Sequence, residues 1–311
     1  MDLIKDVYKI SIDLLYLPTP MRQHAKLNDE KIKTLADKMK ENGKVNFYSS
    51  EPQEVAEKKN ELFIVLRELT ASAINYCYWY GNSLIRPNMA SSSKMYELVD
   101  AALNAEMIKK PIDPDLGTVS NKYYERLYKT CIDYLIELLS IERFPLLEER
   151  KRHLLELTEN GKGVAFANYV VLHKDKHGIE VFEELVKNFP GFASDTFLKR
   201  ASLFIIQLNR QLGWFGNLVD ELFVPADYQV PKMLQHFGAI EYSNDLGFKI
   251  QEGKLIEKGS LMEVQLRAAT VMACKEIMKL TGWNISEVDT WLWTKRKEPK
   301  SRFHLTYTTD Y

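Results

Sequence analysis

What this chain is short of narrows the field first. Its three cysteines, Cys77, Cys131 and Cys274, stand far apart among apolar neighbours, so they supply neither a metal-ligand spacing nor an even-numbered disulfide framework. They read as buried thiols. Charge of neither sign is in excess: 42 Lys and Arg against 43 Asp and Glu, with a formal net charge of -1, give no overall electrostatic footprint for duplex nucleic acid. Long apolar runs are missing too. The opening MDLIKDVYKISIDLLYL is broken by charges every few positions, which is the pattern of neither a signal peptide nor a membrane span. No membrane partner is expected, and the expected setting is cytoplasmic.

Motifs that carry common chemistries are also wanting. No Gly-rich phosphate loop follows a strand, no G-x-S-x-G occurs, and the six histidines form no H-E-x-x-H set. His173 and His177 have i, i+4 spacing, but they sit in a Lys/Asp/Gly-rich loop and read as solvated. Metal catalysis and serine hydrolysis are therefore not expected. Strand-like alternation is scarce and β-α alternation is absent, which excludes doubly wound and barrel folds. With 45% hydrophobic residues the chain is globular, and the expectation is an all-α protein forming a single globular helical domain over residues 1–298. Residues 299–311 read as an exposed tail containing a short strand.

What is present is helical periodicity. Ile4 to Tyr16 is followed by Pro18 and Pro20, and Asn28 caps NDEKIKTLADKMKENG with Gly43 as its stop. Val55 to Tyr80 reads as one long apolar helix ending in the aromatic run Asn75-Tyr76-Cys77-Tyr78-Trp79-Tyr80. Ser92 or Ser93 caps KMYELVDAALNAEMIKK, Pro111 to Gly117 breaks the chain, and NKYYERLYKTCIDYLIELLS resumes the helical period. Leu146 to Glu159 stops at Asn160-Gly161, and Val164 to Val171 and Ile179 to Asn188 follow. Later, Ser243 opens a short helix and Ser260 begins a longer one with an S-x-x-E capping-box pattern to Glu263. Ser286 precedes EVDTWLWTKRK.

The stretch from Phe197 to Ser243 organises the rest. In its first helix Ala201, Phe204, Ile205, Leu208 and Leu212 share one face while Leu203 and Ile206 lie nearly opposite, so the helix is buried. Lys199, at its start, either snorkels to solvent or meets a counter-charge. Asp227 lies between Pro225 and Pro231. Pro231 suits the first position of the following helix, with Val230 extended before it, which makes Asp227 a residue held in a rigid turn rather than a cap. A lysine, an aspartate and many aromatics suit the gripping of a planar ring and the stabilisation of positive charge near a sugar, but the residues alone leave a helical scaffold equally open.

Several segments in the same order resemble the queuosine salvage protein family. LKRAS and PADYQVPKMLQHFGAIEYS are similar to its aromatic-KRAQ and FADYR-V/L-PQ segments with the following LG and YS. SAINYCYW is similar to DALNFCFW, PLLEERKRHLLELTENG to PLLxERxxxLxExG, NFPGF to FPSF, and EVDTWLW to LDFLLW. The chain departs from the pattern at Ser72 (Asp in the family), Gln229 (Arg), Ser202 (Gln) and in a shorter 192–198 segment.

The resemblance implies a fold related to the helix-hairpin-helix DNA glycosylases. It also implies hydrolysis of the N-glycosidic bond of queuosine 5'-monophosphate to queuine, by a monomer acting on a small nucleotide without cofactor or metal. The family's catalytic aspartate falls on Asp227 and its lysine on Lys199. A fixed carboxylate stabilises oxocarbenium character at C1' or attacks it, and a nearby ammonium favours its ionised form. Tyr76, Tyr78 and Trp79 are expected to stack on or frame the base, with Arg200, Tyr228, Gln229 and Asp289 as further substrate-binding candidates and Lys232 beside Arg200 as a phosphate candidate. Two other readings remain: a glycosylase-fold enzyme for another modified base, including one within DNA, and a non-catalytic helical nucleoside-binding protein.

Overall fold

In a computed structural model the chain is described over residues 2–17, 23–46, 61–81, 90–107 and 117–311. The elements run α1 (Leu3–Leu15), β1 (Ala25–Leu27), α2 (Asp29–Asn42), α3 (Glu61–Ala73), α4 (Ser92–Met107), α5 (Gly117–Ile141), α6 (Leu147–Thr158), α7 (Lys162–Leu172) and α8 (Ile179–Asn188). They continue with α9 (Pro190–Ala193), α10 (Lys199–Leu212), α11 (Gly216–Val219), α12 (Gln229–His236), β2 (Ile240–Tyr242), α13 (Asn244–Gln251), α14 (Leu261–Thr281) and α15 (Ile285–Thr294). The fold is helical, as the periodicity requires. Among the described residues the only sheet is the antiparallel pair β1 and β2, in which Lys26 faces Glu241. Three-residue strands are too short for alternation to announce them.

Two layers of helices meet at α10. In one, α14 packs against α1, α2, α12, α15 and β1; in the other, α3 packs against α4, α6, α7 and α10. From Lys199 to Leu208 every residue of α10 is buried, and Gly213 ends the helix in the left-handed conformation at φ 70, where glycine has no Cβ penalty. Asn28 caps α2 by accepting from Lys31 N at 3.1 Å. Cys77, Cys131 and Cys274 are free and buried.

Several boundaries differ from the sequence reading. The helix expected over 55–80 is described from Glu61 and stops at Ala73; residues 47–60 lie outside the described residues, as do 82–89, most of the Gly81 to Ser93 loop, and 108–116, most of the Pro111 to Gly117 break. The aromatic run that follows is irregular because side chains take over its carbonyls. Buried Arg150 donates to the backbone oxygens of Ile74, Tyr76 and Cys77, and Arg200 to that of Ala73. The last carbonyls of a helix need such partners, and a guanidinium with five fixed donors meets several at once.

Ser91 caps α4, accepting from Lys94 N, in place of Ser92 or Ser93. At α14, Ser260 accepts from Glu263 N, but the Glu263 carboxylate takes Gly259 N, so the box expected there is only half formed. The complete capping box belongs to Asn284 and Glu287, and α15 starts ahead of the Ser286 boundary. Residues 299–311 are not an exposed tail. Leu305, Thr306 and Tyr311 are buried, Leu305 forms one parallel bridge with Leu255, and the Tyr311 carbonyl accepts from Cys77 N at 2.9 Å.

Candidate functional site

Where the two layers face each other across α10 they leave a cavity of about 250 Å³. One face of α10 forms its floor: Lys199, Leu203, Gln207 and Arg210 all line it, at the i, i+4, i+8, i+11 spacing that stacks side chains along a helix. Asp289 and Trp293, one turn apart on α15, form a second wall, and Ser92, Ser93 and Tyr96 of α4 a third. Arg67 and Asn75 close the α3 side, and the bend before α12 contributes Pro225, Asp227 and Tyr228.

Lys199 is only 4% exposed, so it does not snorkel. Its ammonium donates to the Asn75 carbonyl at 2.8 Å. Burial pulls its pKa down to about 8, against the opposing pull of the Asp227 charge. Leu198, just before it, is left-handed at φ 46, a conformation that costs a branched residue about 1–3 kcal/mol and persists where surroundings over-determine it. The surroundings here are the Asp195 carboxylate, which accepts from Phe197 N at 3.0 Å and Lys199 N at 2.8 Å. Asp195 is itself held by two 2.7 Å bonds from Arg267.

Asp227 stands one residue before the cap, Tyr228, and its side chain holds the turn into the helix. Its Oδ1 accepts from Gln229 N at 2.7 Å and Val230 N at 3.0 Å, and α12 begins at Gln229 with Val230 helical. Pro231 is the third helical residue, not the first. It is tolerated because the first four N–H groups of a helix lack intrahelical partners anyway, so its missing donor is not felt. The other carboxylate oxygen, Oδ2, takes no hydrogen bond among the described residues. Asp227 is partly open to the cavity while protein surrounds it, and burial raises its pKa against the Lys199 charge and the two backbone bonds. Lys199 thus favours the ionised form as expected, but burial outweighs it.

Lys199 and Asp227 therefore line one cavity without an ion-pair contact between them among the described residues, each still feeling the other's charge. An acid with a raised pKa and a buried amine with a lowered one on the same cavity is how sites hold proton-transfer and charge-stabilising groups ready near neutral pH. Across the cavity Asp289 pairs with Arg210 at 2.7 Å, both nearly fully buried. Arg67 binds both Asp100 oxygens and Glu68, and Glu68 also accepts from Tyr96 Oη at 2.9 Å. Among the described residues no group of three or more His, Cys, Asp or Glu could hold a metal ion.

Of the expected substrate contacts, Tyr228 and Asp289 line the cavity, whereas Tyr76, Tyr78, Trp79, Arg200 and Gln229 do not. Tyr76 is buried under Arg150, 4.3 Å from its ring, with its hydroxyl pushed up to about 12 by burial. Tyr78 donates to Asn75 Oδ1 at 3.0 Å and packs edge-on against Phe144. Trp79 stands edge-on to Tyr228 at 4.9 Å, behind the cavity wall. Arg200 is spent on the Ala73 and Gly191 carbonyls, and Lys232 donates to the Arg296 carbonyl at 2.6 Å. The three positions whose residue departs from the family pattern lie off the wall as well. Ser202 donates to the Phe223 carbonyl at 2.6 Å, while buried Ser72 Oγ and Gln229 Oε1 have no hydrogen-bond partner among the described residues.

Sequence reasoning passed over Arg67, Asn75, Tyr96, Gln207, Arg210 and Trp293. A usable signal existed on α10, because Gln207 and Arg210 extend the Lys199 face along the same helix. Asn75 and Arg67 offered none, since the first acts through its carbonyl.

An acid and an amine that line one cavity between two layers of helices make this a helical protein with a concave site of the kind that holds small molecules. The queuosine salvage protein model matches residues 56–309. The chain belongs to the queuosine salvage protein family. Among its relatives are the queuosine 5'-phosphate N-glycosylase/hydrolase of Bos taurus, 25% identical over 225 residues (66% of this chain, 64% of the relative), and that of Nematostella vectensis, 25% identical over 220 residues (66% and 62%). The same-named Dictyostelium discoideum protein is 40% identical over 80 residues, 24% of this chain and 25% of that one. The chain thus spans a little under two thirds of the first two relatives' lengths.

Proposed function

We propose that this chain hydrolyses the N-glycosidic bond of queuosine 5'-monophosphate, or of a related 7-deazaguanine nucleotide, and releases queuine. The observation that carries the reading is the pair Asp227 and Lys199, which line the same cavity, the lysine buried and the carboxylate partly open to it. Family membership and the names of the relatives support the substrate class.

In this reading the bond between C1' and the base nitrogen breaks with its electron pair going to the base, which takes up a proton. Water adds hydroxide to C1'. Positive charge builds on the ribose as the bond lengthens, and the Asp227 carboxylate, fixed through Oδ1 by two backbone donors, stabilises it without having to reorganise. Lys199 holds Asp227 toward its ionised form and presents an ammonium to the sugar or base. A 7-deazapurine lacks the ring nitrogen at which ordinary purines are protonated, so recognition of its other edge matters more. Asp289, with one oxygen held by Arg210, offers its second oxygen to N–H groups of such an edge, and Tyr228 offers a ring face. Among the described residues no helix is long and apolar enough to cross a membrane. A monomeric, cytoplasmic, single-domain enzyme needing neither metal nor cofactor completes the proposal.

The test is direct. Purified protein is incubated with queuosine 5'-monophosphate, queuosine and guanosine 5'-monophosphate, and released base is quantified by chromatography. Queuine from the monophosphate, with no guanine from the third compound, is the expected result. Release of no base from any deazaguanine nucleotide sinks the reading.

A further inference from the structure

Lys199 and Asp227 lie on separate segments, and neither touches the other, so something else must set the distance between them. We propose that Arg267 is the positioning residue of this site, one guanidinium that ties the segment carrying Lys199 to the segment carrying Asp227. The inference rests on the proposed reading of those two side chains.

The geometry runs through both arms of the fork. Nη1 and Nη2 of Arg267 each bond an oxygen of Asp195 at 2.7 Å. That carboxylate in turn accepts from Phe197 N and Lys199 N, so it fixes the first turn of α10 and the left-handed Leu198 inside it. On its third side Arg267 Nε donates to the Ala226 carbonyl at 3.1 Å, and Ala226 is the residue before Asp227. The guanidinium is clamped between the Phe197 ring at 4.6 Å and the Tyr311 ring at 4.5 Å, and Glu263 approaches it at 3.6 Å. All of this is buried, with Arg267 2% and Asp195 1% exposed, and Arg267 itself does not line the cavity.

Stability alone does not ask for this arrangement. A buried ion pair is weak evidence for stability, because replacing one by apolar residues of similar volume is often neutral or better. What a planar fork supplies and an apolar cluster does not is a fixed three-way geometry. Arg200 and Arg150 also bond several carbonyls, but none in the segment that carries Asp227. Planar Arg267 reaches both segments, because its three nitrogens point in three directions.

The test uses the whole chain with Arg267→Lys, which keeps the charge and loses the fork, and Asp195→Asn, which keeps a capping oxygen and leaves Glu263 as counter-charge. Queuosine 5'-monophosphate is the probe. Expected is a fall in kcat of at least tenfold in both variants with KM within about threefold, since a misplacement near 1 Å costs on the order of a hundredfold. The basic limb of the pH profile moves as well, because the Lys199 to Asp227 separation changes. A loss that vanishes when each variant is assayed well below its melting temperature, with the pH limb unmoved, overturns the proposal.

A measurement independent of turnover separates this from failure of the proposed activity. Hydrogen exchange in Arg267→Lys is expected to rise in peptides covering both 195–200 and 226–231, but not in α2, which also packs on α14. Exchange that rises in only one of the two segments, or equally in α2, refutes the clamp whatever the substrate proves to be.

Discussion

Replacing Asp227 by Asn separates the carboxylate's charge from its place in the fold. Its Oδ1 accepts from Gln229 N and Val230 N, and an amide oxygen can accept both, so α12 keeps its start. What disappears is one negative charge facing the cavity. Against a developing cation about 4 Å away at an effective dielectric constant of about 20, that charge is worth about 4 kcal/mol, or roughly a thousandfold in kcat. Stability moves the other way. Burial raises the Asp227 pKa, so the native state binds more protons than the unfolded chain between the two pKa values and wild-type stability falls as pH rises through that window. The Asn variant avoids this, so it melts no lower than wild type at pH 7, and the difference fades as pH drops below 3.8, the ordinary value of a free Asp carboxyl. Single-turnover release of queuine together with thermal melts at pH 7 and pH 4 test both parts. Turnover within tenfold of wild type, or a variant melting well below it at pH 7, refutes the argument.

Lys199→Met abolishes turnover and stabilises the protein at pH 7 by about 2 kcal/mol. The drop from 10.5 to about 8 represents about 3 kcal/mol of burial cost, less about 1 for the lost bond to Asn75. Because the folded pKa is depressed, that cost is fully present below pH 8 and is relieved as pH rises toward 10.5, so chemical denaturation at pH 7 and pH 10 should give converging stabilities. Wild-type turnover is expected to fall as pH rises through about 8, where Lys199 loses its proton; a flat profile to pH 9.5 counts against a role for the ammonium. Asp289→Asn weakens the buried pair with Arg210 and removes an acceptor from the cavity, raising KM at least tenfold; an unchanged KM removes Asp289 from substrate recognition. Arg150→Met leaves the Ile74, Tyr76, Cys77 and Pro145 carbonyls without their donor and lowers stability by about 3–5 kcal/mol, read as the midpoint of urea unfolding.

The sequence by itself determined the fold class and singled out two residues, Lys199 and Asp227, that line one cavity. Helical periodicity is a local property, written every three or four residues, and so α1, α2, α8, α10 and the Gly43 and Gly213 stops were legible without partners. Asp227 and Lys199 were legible because segments similar to one family carry them in order. Tertiary structure alone decided the end of α3 at Ala73, since the carbonyls beyond it are claimed by Arg150 and Arg200 from more than seventy residues away. It decided, too, that the aromatic run from Tyr76 to Trp79 packs behind the cavity rather than in it, and that residues 299–311 are buried. Which side of a ring faces a ligand depends on what else fills the space. That is a sum over distant contacts, and no window of the chain contains it.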